Sequence, residues 1–228
     1  SNTQSNKVIL NNSKQDKNNI PTLTAFNLSN SSIITGTNDV DPDNTRRANI
    51  LNRASDMANV SWIPKYNLVD SIGHYIFIKG VKYKGLPYCL GGYQVSSASD
   101  FLALINKSNK IYGNDCSGFV STAWGVSRQT TLSLYNAVKK GNKVDGKSVA
   151  LISWDEVKPG DALLLEKGNG KGHILLFINY DVKNNDSVHV YEQNIGTIVP
   201  FELIPVARED IRSRKTLEKN GYIPIRLM

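Results

Sequence analysis

The chain has little of several things that would fix its class at once. Two cysteines in 228 residues, Cys89 and Cys116, are too few for a disulfide scaffold. A bridge between them would consume the best nucleophile in the chain, so Cys89 is expected as a free thiol. No apolar run approaches the ~18–20 residues of a membrane span, and no signal-peptide pattern opens the chain. There are three histidines, and no zinc-finger spacing or other metal-ligand cluster joins them to the cysteines. No bound metal or cofactor is expected. Basic residues are not interleaved with paired aromatics, so no nucleic-acid module stands out and none is expected as a partner.

Cations outnumber anions, giving a formal charge of +7. Such a surface suits an anionic partner: nucleic acid, a membrane or an anionic cell-wall polymer. Apart from Lys139-Lys140 and the stretch from Arg208 to Lys219 the basic residues are scattered, which also fits an ordinary solvated surface.

Residues 1 to 43 are rich in Asn, Ser, Thr, Lys and Asp, with sparse, aperiodic apolar residues. Such a segment buries too little to offset its ordering entropy and reads as a polar linker or surface arm. A catalytic domain is expected over 44–228. Asp43-Asn44 is a plausible helix N-cap. Ile50, Leu51, Ala54, Met57 and Ala58 then share one face, and Pro64 stops the helix. An irregular stretch leads to a tight loop at Lys84 to Gly92. Helices are expected over 99–107, 116–124 and 130–140. The signal then changes to strands at 162–166, 173–179, 188–194 and 198–203, with 222–228 closing a sheet edge. Helices first and an antiparallel sheet second make an α+β fold.

Cys116 follows Asn114-Asp115, both good N-caps, and Phe119, Val120, Ala123 and Trp124 supply a buried helical stripe. The thiol therefore lies in a first helical turn. There the positive helix end and a neighbouring imidazolium lower a thiol's pKa, and first-turn amides can face an oxyanion. Gly118 is expected to keep the approach to the thiol open. Among the histidines, His173 is the candidate base, because it opens an apolar strand after Lys171-Gly172 and can reach a cleft from a fixed backbone. His74 reads as structural. His189 alternates with Val188 and Val190 and reads as a strand residue without a catalytic role.

An imidazole base needs an orienting partner on its second nitrogen. A hairpin whose turn is centred between Val182 and Lys183 sets Glu192 opposite His173, with Asn194 on the same face. Glu192 would hold the ring and Asn194 would assist.

At this point residues 44–228 resemble a known superfamily, the NlpC-type cell-wall peptidases and the related CHAP amidase/peptidases. The resemblance rests on Pro87-Tyr88 with Gly91-Gly92, on Asp115-Cys116-Ser117-Gly118-Phe119-Val120, on Pro159-Gly160-Asp161 before a strand, and on Gly172-His173-Ile174. Glu192-Gln193-Asn194 looks like the CHAP ending. The resemblance implies a papain-like core and a secreted or wall-associated cysteine peptidase or amidase. Its substrate would be an amide of the peptidoglycan stem peptide, or the amide joining that peptide to the glycan. By position it also implies substrate contacts at Tyr88, Asp115 and Ser117. Two other readings stand beside it. One is a thiol acyltransferase, although permuted relatives of that kind place His before Cys. The other is a wall-binding module of the same fold that has lost turnover.

Overall fold

The computed structural model describes residues 41–71, 75–91, 94–195 and 204–228. Helix α1 (Pro42–Asn59) starts two residues earlier than the sequence suggests. Asp41 is its N-cap, accepting from the Asp43 N–H at 3.0 Å, and Pro42 fills the first turn. The helix ends at Asn59, well before Pro64, because Val60 turns extended. The stretch that reads as irregular is two short antiparallel ribbons: β1 (Ser61–Trp62) with β4 (Tyr83–Lys84), and β2 (Leu68–Val69) with β3 (Ile76–Phe77). Their inner faces meet in an aromatic cluster of Trp62, Phe77, Tyr83 and Phe101, with ring centroids 5.0–5.3 Å apart.

Three helices follow: α2 (Ala98–Leu104), α3 (Cys116–Trp124) and α4 (Thr131–Lys140). The sheet strands are β5 (Val149–Leu151), β6 (Ala162–Glu166), β7 (Gly172–Tyr180), β8 (Ser187–Gln193), β9 (Ala207–Ser213) and β10 (Ile223–Leu227). Helix α5 (Arg214–Lys219) sits between the last two. The six strands run in the order β5-β10-β6-β7-β8-β9 with antiparallel neighbours throughout. The fold is α+β. The C-terminal strand lies between β5 and β6 rather than at the sheet edge, and β9 is an edge the sequence reading missed. The expected strand at 198–203 lies outside the described residues, as do His74 and residues 1–40.

One sheet face carries α1 and α3. The other buries Leu163, Leu175, Phe177, Val188, Val190 and Leu217 of α5 in one cluster. Each such side chain contributes about 1.5–3 kcal/mol of burial. Asp161, of the Pro-Gly-Asp turn, is a buried anchor. Its carboxylate accepts from Arg47 at 2.9 Å, from Arg226 at 3.0 and 2.8 Å, and from the Lys158 N–H at 2.7 Å. The same turn takes the Trp124 indole N–H on the Gly160 carbonyl at 2.8 Å, fixing the far end of α3. Among the described residues no helix is long and apolar enough to cross a membrane.

Candidate active site

Helix α3 begins at Cys116 because Asp115 caps it. The Asp115 carboxylate accepts from the Gly118 N–H at 2.7 Å, an interaction worth about 1 kcal/mol. Gly125, in the left-handed region, closes the other end. The residue before the cap, Asn114, is fully buried and stitched to the Pro-Tyr segment. Its N–H donates to the Pro87 carbonyl and its carbonyl accepts from the Cys89 N–H at 3.0 Å, so Tyr88 runs alongside it. Gly113 permits this approach, since a Cβ there would stand 1.8 Å from the Pro87 oxygen. Gly118 serves the cap rather than the approach to the thiol. A Cβ on it would meet Gln94 Oε1 at 2.3 Å and Asp115 Oδ1 at 2.9 Å.

The half-buried Cys116 thiol differs from the sequence expectation. Burial pushes its pKa up to about 11, and the Asp115 charge adds to that. The N–H groups of Ile174, Ser117 and Cys116 itself pull the other way without winning. The helix end is present, as read, but desolvation and the capping carboxylate outweigh it. The contact with Ile174 places the sulfur beside the residue that follows His173.

His173 stands near the start of β7, facing Leu165 of β6. The loop before it is shaped by a buried carboxylate absent from the sequence reading. Glu166 Oε1 accepts from the N–H groups of Lys167, Gly168, Asn169 and Gly170 at 2.9–3.0 Å. Its Oε2 accepts from the Thr131 hydroxyl at 2.8 Å. Burial disfavours this charge, but the Thr131 and amide hydrogen bonds still hold Glu166 below its ordinary pKa.

The structure brings Glu192 to His173 by a register different from the expected one. Leu176 faces Tyr191 and Phe177 faces Val190, which centres the hairpin one residue later, between Lys183 and Asn184. Continued to the strand ends, that register sets His173 across from Asn194. The shift is two residues along the partner strand, so Glu192 keeps the expected face and stands diagonally. A bulge between Phe177 and Asn179 then changes the register toward the turn.

Glu192 is fully buried, and its Oε2 lies 3.9 Å from His173 Nε2, too far for a hydrogen bond. Its carboxylate is held instead by Arg212, at 2.9 and 2.6 Å, and by Arg208 at 3.2 Å. Burial opposes its charge, yet the neighbouring His173 and Arg212 bring its pKa down to about 2. His173 Nε2 is buried without a hydrogen-bond partner among the described residues. With Nε2 turned to Glu192, Nδ1 is the ring nitrogen left for a reacting group.

The other expected residues fall at differing distances from this chemistry. Tyr88 is half-buried, and its hydroxyl pKa is raised by burial and then by the charges of Cys116 and Asp115. Asp115 is buried and committed, pairing with Arg128 at 2.5 Å besides its capping role. Ser117 is buried, its hydroxyl 3.4 Å from Asp115. Asn194 is half-buried just past β8. Both cysteines are free. His189 pairs with Asp181 at 3.0 Å, at the hairpin's other end.

Sequence reasoning missed Arg208 and Arg212, whose alternation in an Arg-x-x-x-Arg run marks one strand face. It also missed Tyr222, whose pKa burial raises and whose hydroxyl feels Arg212, Glu192 and Cys116. Among the described residues no group of three or more His, Cys, Asp or Glu side chains could hold a metal ion. Comparison with protein-family models, curated proteins and solved structures finds no match.

Proposed function

We propose that the chain is a cysteine hydrolase of papain-like architecture that cleaves an amide of bacterial peptidoglycan, within the stem peptide or where it joins the glycan. The observation that carries the reading is the Cys116 thiol at a capped helix start, in contact with the amide of Ile174, the residue after a histidine whose ring lies 3.9 Å from a buried carboxylate. The motifs that resemble NlpC-type and CHAP enzymes supply the substrate class, and the cationic surface suits an anionic wall.

In this mechanism His173 Nδ1 takes the Cys116 proton as sulfur attacks the amide carbon. The raised thiol pKa, near 11, favours the proton on sulfur until the substrate arrives. First-turn N–H groups of Cys116 and Ser117, which already stabilise negative sulfur, would face the tetrahedral oxyanion. The imidazolium then protonates the leaving amine, and water attacks the thioester with His173 again as base. Glu192 steadies the ring on its Nε2 side. Localisation outside the cell or at the wall belongs to the same reading.

A second reading has a specific observation in its favour. A thiol at about 11 and a carboxylate shared with two arginines also suit a wall-binding module without turnover. Digestion of purified peptidoglycan, read by mass spectrometry, separates the two. Wild type should release fragments, and folded Cys116→Ala should release none. Equal release by both would remove Cys116 from the mechanism, and no release by wild type from any peptidoglycan type would favour the module. Alkylation by iodoacetamide tests the resting state. Its rate at Cys116 should climb about tenfold per pH unit from neutrality, as a thiol below its pKa requires. A plateau at neutral pH would show a standing thiolate–imidazolium pair instead.

A further inference from the structure

The β2–β3 ribbon buries one face and leaves the other exposed among the described residues. Leu68 and Phe77 oppose each other inward, onto Trp62 and its aromatic neighbours. By alternation the outward pair should be polar. It is Val69 opposite Ile76, exposed by 51% and 54%, with Ile78 continuing the face at 53%. Short-range bonds gather more apolar residues around it. Gly80 donates to Pro64 at 2.9 Å and Lys79 to Asn67 at 2.8 Å, which sets Ile63 and Tyr66 near Val81. Leu90, also exposed, is tied to Ser71 at 2.8 Å just beyond β2, two residues from Tyr88.

Among the described residues from 61 to 91 the exposed charges have one sign. Lys65, Lys79, Lys82 and Lys84 are exposed, while the one acidic residue between 61 and 91, Asp70, is buried. An apolar patch rimmed by polar residues marks an interaction surface. Protein interfaces favour arginine and are depleted of lysine, and this segment has four lysines and no arginine. Aliphatic tips, a tyrosine and lysines together fit the acyl–headgroup boundary of a bilayer, where the ammonium groups reach lipid phosphates.

We propose that the outer face of the β2–β3 ribbon docks on an anionic lipid surface, with Val69, Ile76 and Ile78 inserted and the four lysines among the headgroups. The docking is peripheral and independent of turnover at Cys116.

Flotation of the full chain with vesicles tests it. Vesicles of phosphatidylcholine mixed with phosphatidylglycerol should carry the protein, and vesicles of phosphatidylcholine alone should not. The double change Ile76→Ser with Ile78→Ser should lower partitioning by at least about tenfold, since two inserted side chains are lost. Lys79→Glu should lower it by about fivefold or more, the weight of one lysine near such a surface. All three positions are exposed, and circular dichroism confirms the fold. As a second readout, Ile76→Trp should blue-shift its fluorescence on anionic vesicles. Val182→Trp, at a hairpin turn where the native side chain is 98% exposed, should not. Absence of the chain from anionic vesicles, partitioning unaffected by these variants, or equal shifts at both tryptophans would overturn the proposal. Self-association abolished by the serine pair, without vesicle binding, would also overturn it and assign the face to a second copy of the chain.

Discussion

The β7–β8 hairpin carries a histidine–carboxylate pair at each end, and the two behave oppositely. At the turn end His189 meets Asp181 at 3.0 Å, with Glu209 at 3.9 Å. At the open end His173 and Glu192 stand 3.9 Å apart. By distance the turn pair is the stronger. By burial the order reverses, because the Asp181 side chain is 31% exposed and that of Glu192 is 0% exposed. A solvated pair is screened and adds little to stability. A buried carboxylate must be compensated, and Glu192 draws in two arginines besides the imidazole. Its environment, more than its distance, makes the open end a candidate for chemistry.

The largest expected contrast is in turnover. On the proposed reading His173→Ala lowers release of wall fragments by at least about a thousandfold, as loss of a base in a coupled pair does. His189→Ala leaves release unchanged. Equal losses at the two sites, with both variants folded, would mean that the fold rather than the site was damaged.

Next comes stability. Glu192→Ala strands Arg208 and Arg212 against a hole and should cost about 3–5 kcal/mol in urea unfolding. Glu192→Gln keeps the volume and one acceptor, so it should cost less. A loss below about 1 kcal/mol in the alanine variant would show that the arginines rehydrate freely and that the carboxylate is no anchor.

The same contrast explains what was legible in the sequence. Strand β6 has the bounds that its apolar run and flanking Pro-Gly-Asp turn announce, and α3 starts where Asp115 says it should. These signals are local. The face of Glu192 was legible too, since alternation survives an even shift, whereas the register itself was not. A bulge between Phe177 and Asn179 offsets the strands, and an alternation pattern does not announce it. The shortest ion pairs of the Arg208–Lys219 stretch reach carboxylates distant in sequence, Glu192 for Arg208 and Arg212 and Asp155 for Arg214, which the basic run does not announce. The raised thiol pKa was hidden for a similar reason. A helix start argues for a lowered value, and only tertiary burial reverses it.

Acid sharpens the comparison further. The Glu192 carboxyl is brought from an ordinary 4.5 down to about 2. Its contribution is therefore fully present above pH 4.5 and is lost as pH falls toward 2, since protonation then favours the unfolded chain. The loss across that window is on the order of a few kcal/mol. Glu192→Gln should remove this part of the acid sensitivity, seen as a flatter stability–pH curve below pH ~5. An unchanged curve would place the acid-sensitive group elsewhere, with Glu166 the next candidate.

The smallest effect is expected at the half-buried turn pair. Asp181 is also held below its ordinary pKa, first by the His189 ring and then by the Lys183 N–H. Its stabilising contribution has the same sign as that of Glu192: present above the carboxylate range and lost as the pH drops through it. It is solvated, however, so little of it reaches the folding equilibrium. The turn does not need the charge. Asp181 Oδ1 accepts from the Lys183 N–H at 2.8 Å and the Asn184 N–H at 3.2 Å, and an asparagine oxygen can do the same. Asp181→Asn should therefore leave the Tm unchanged in ~1 M salt, where the charge attraction is screened. At low salt, where the charge attraction is less screened, a slight drop should appear. A loss in Asp181→Asn comparable to that of Glu192→Ala would reverse the comparison, and contact distance would then outrank burial on this hairpin.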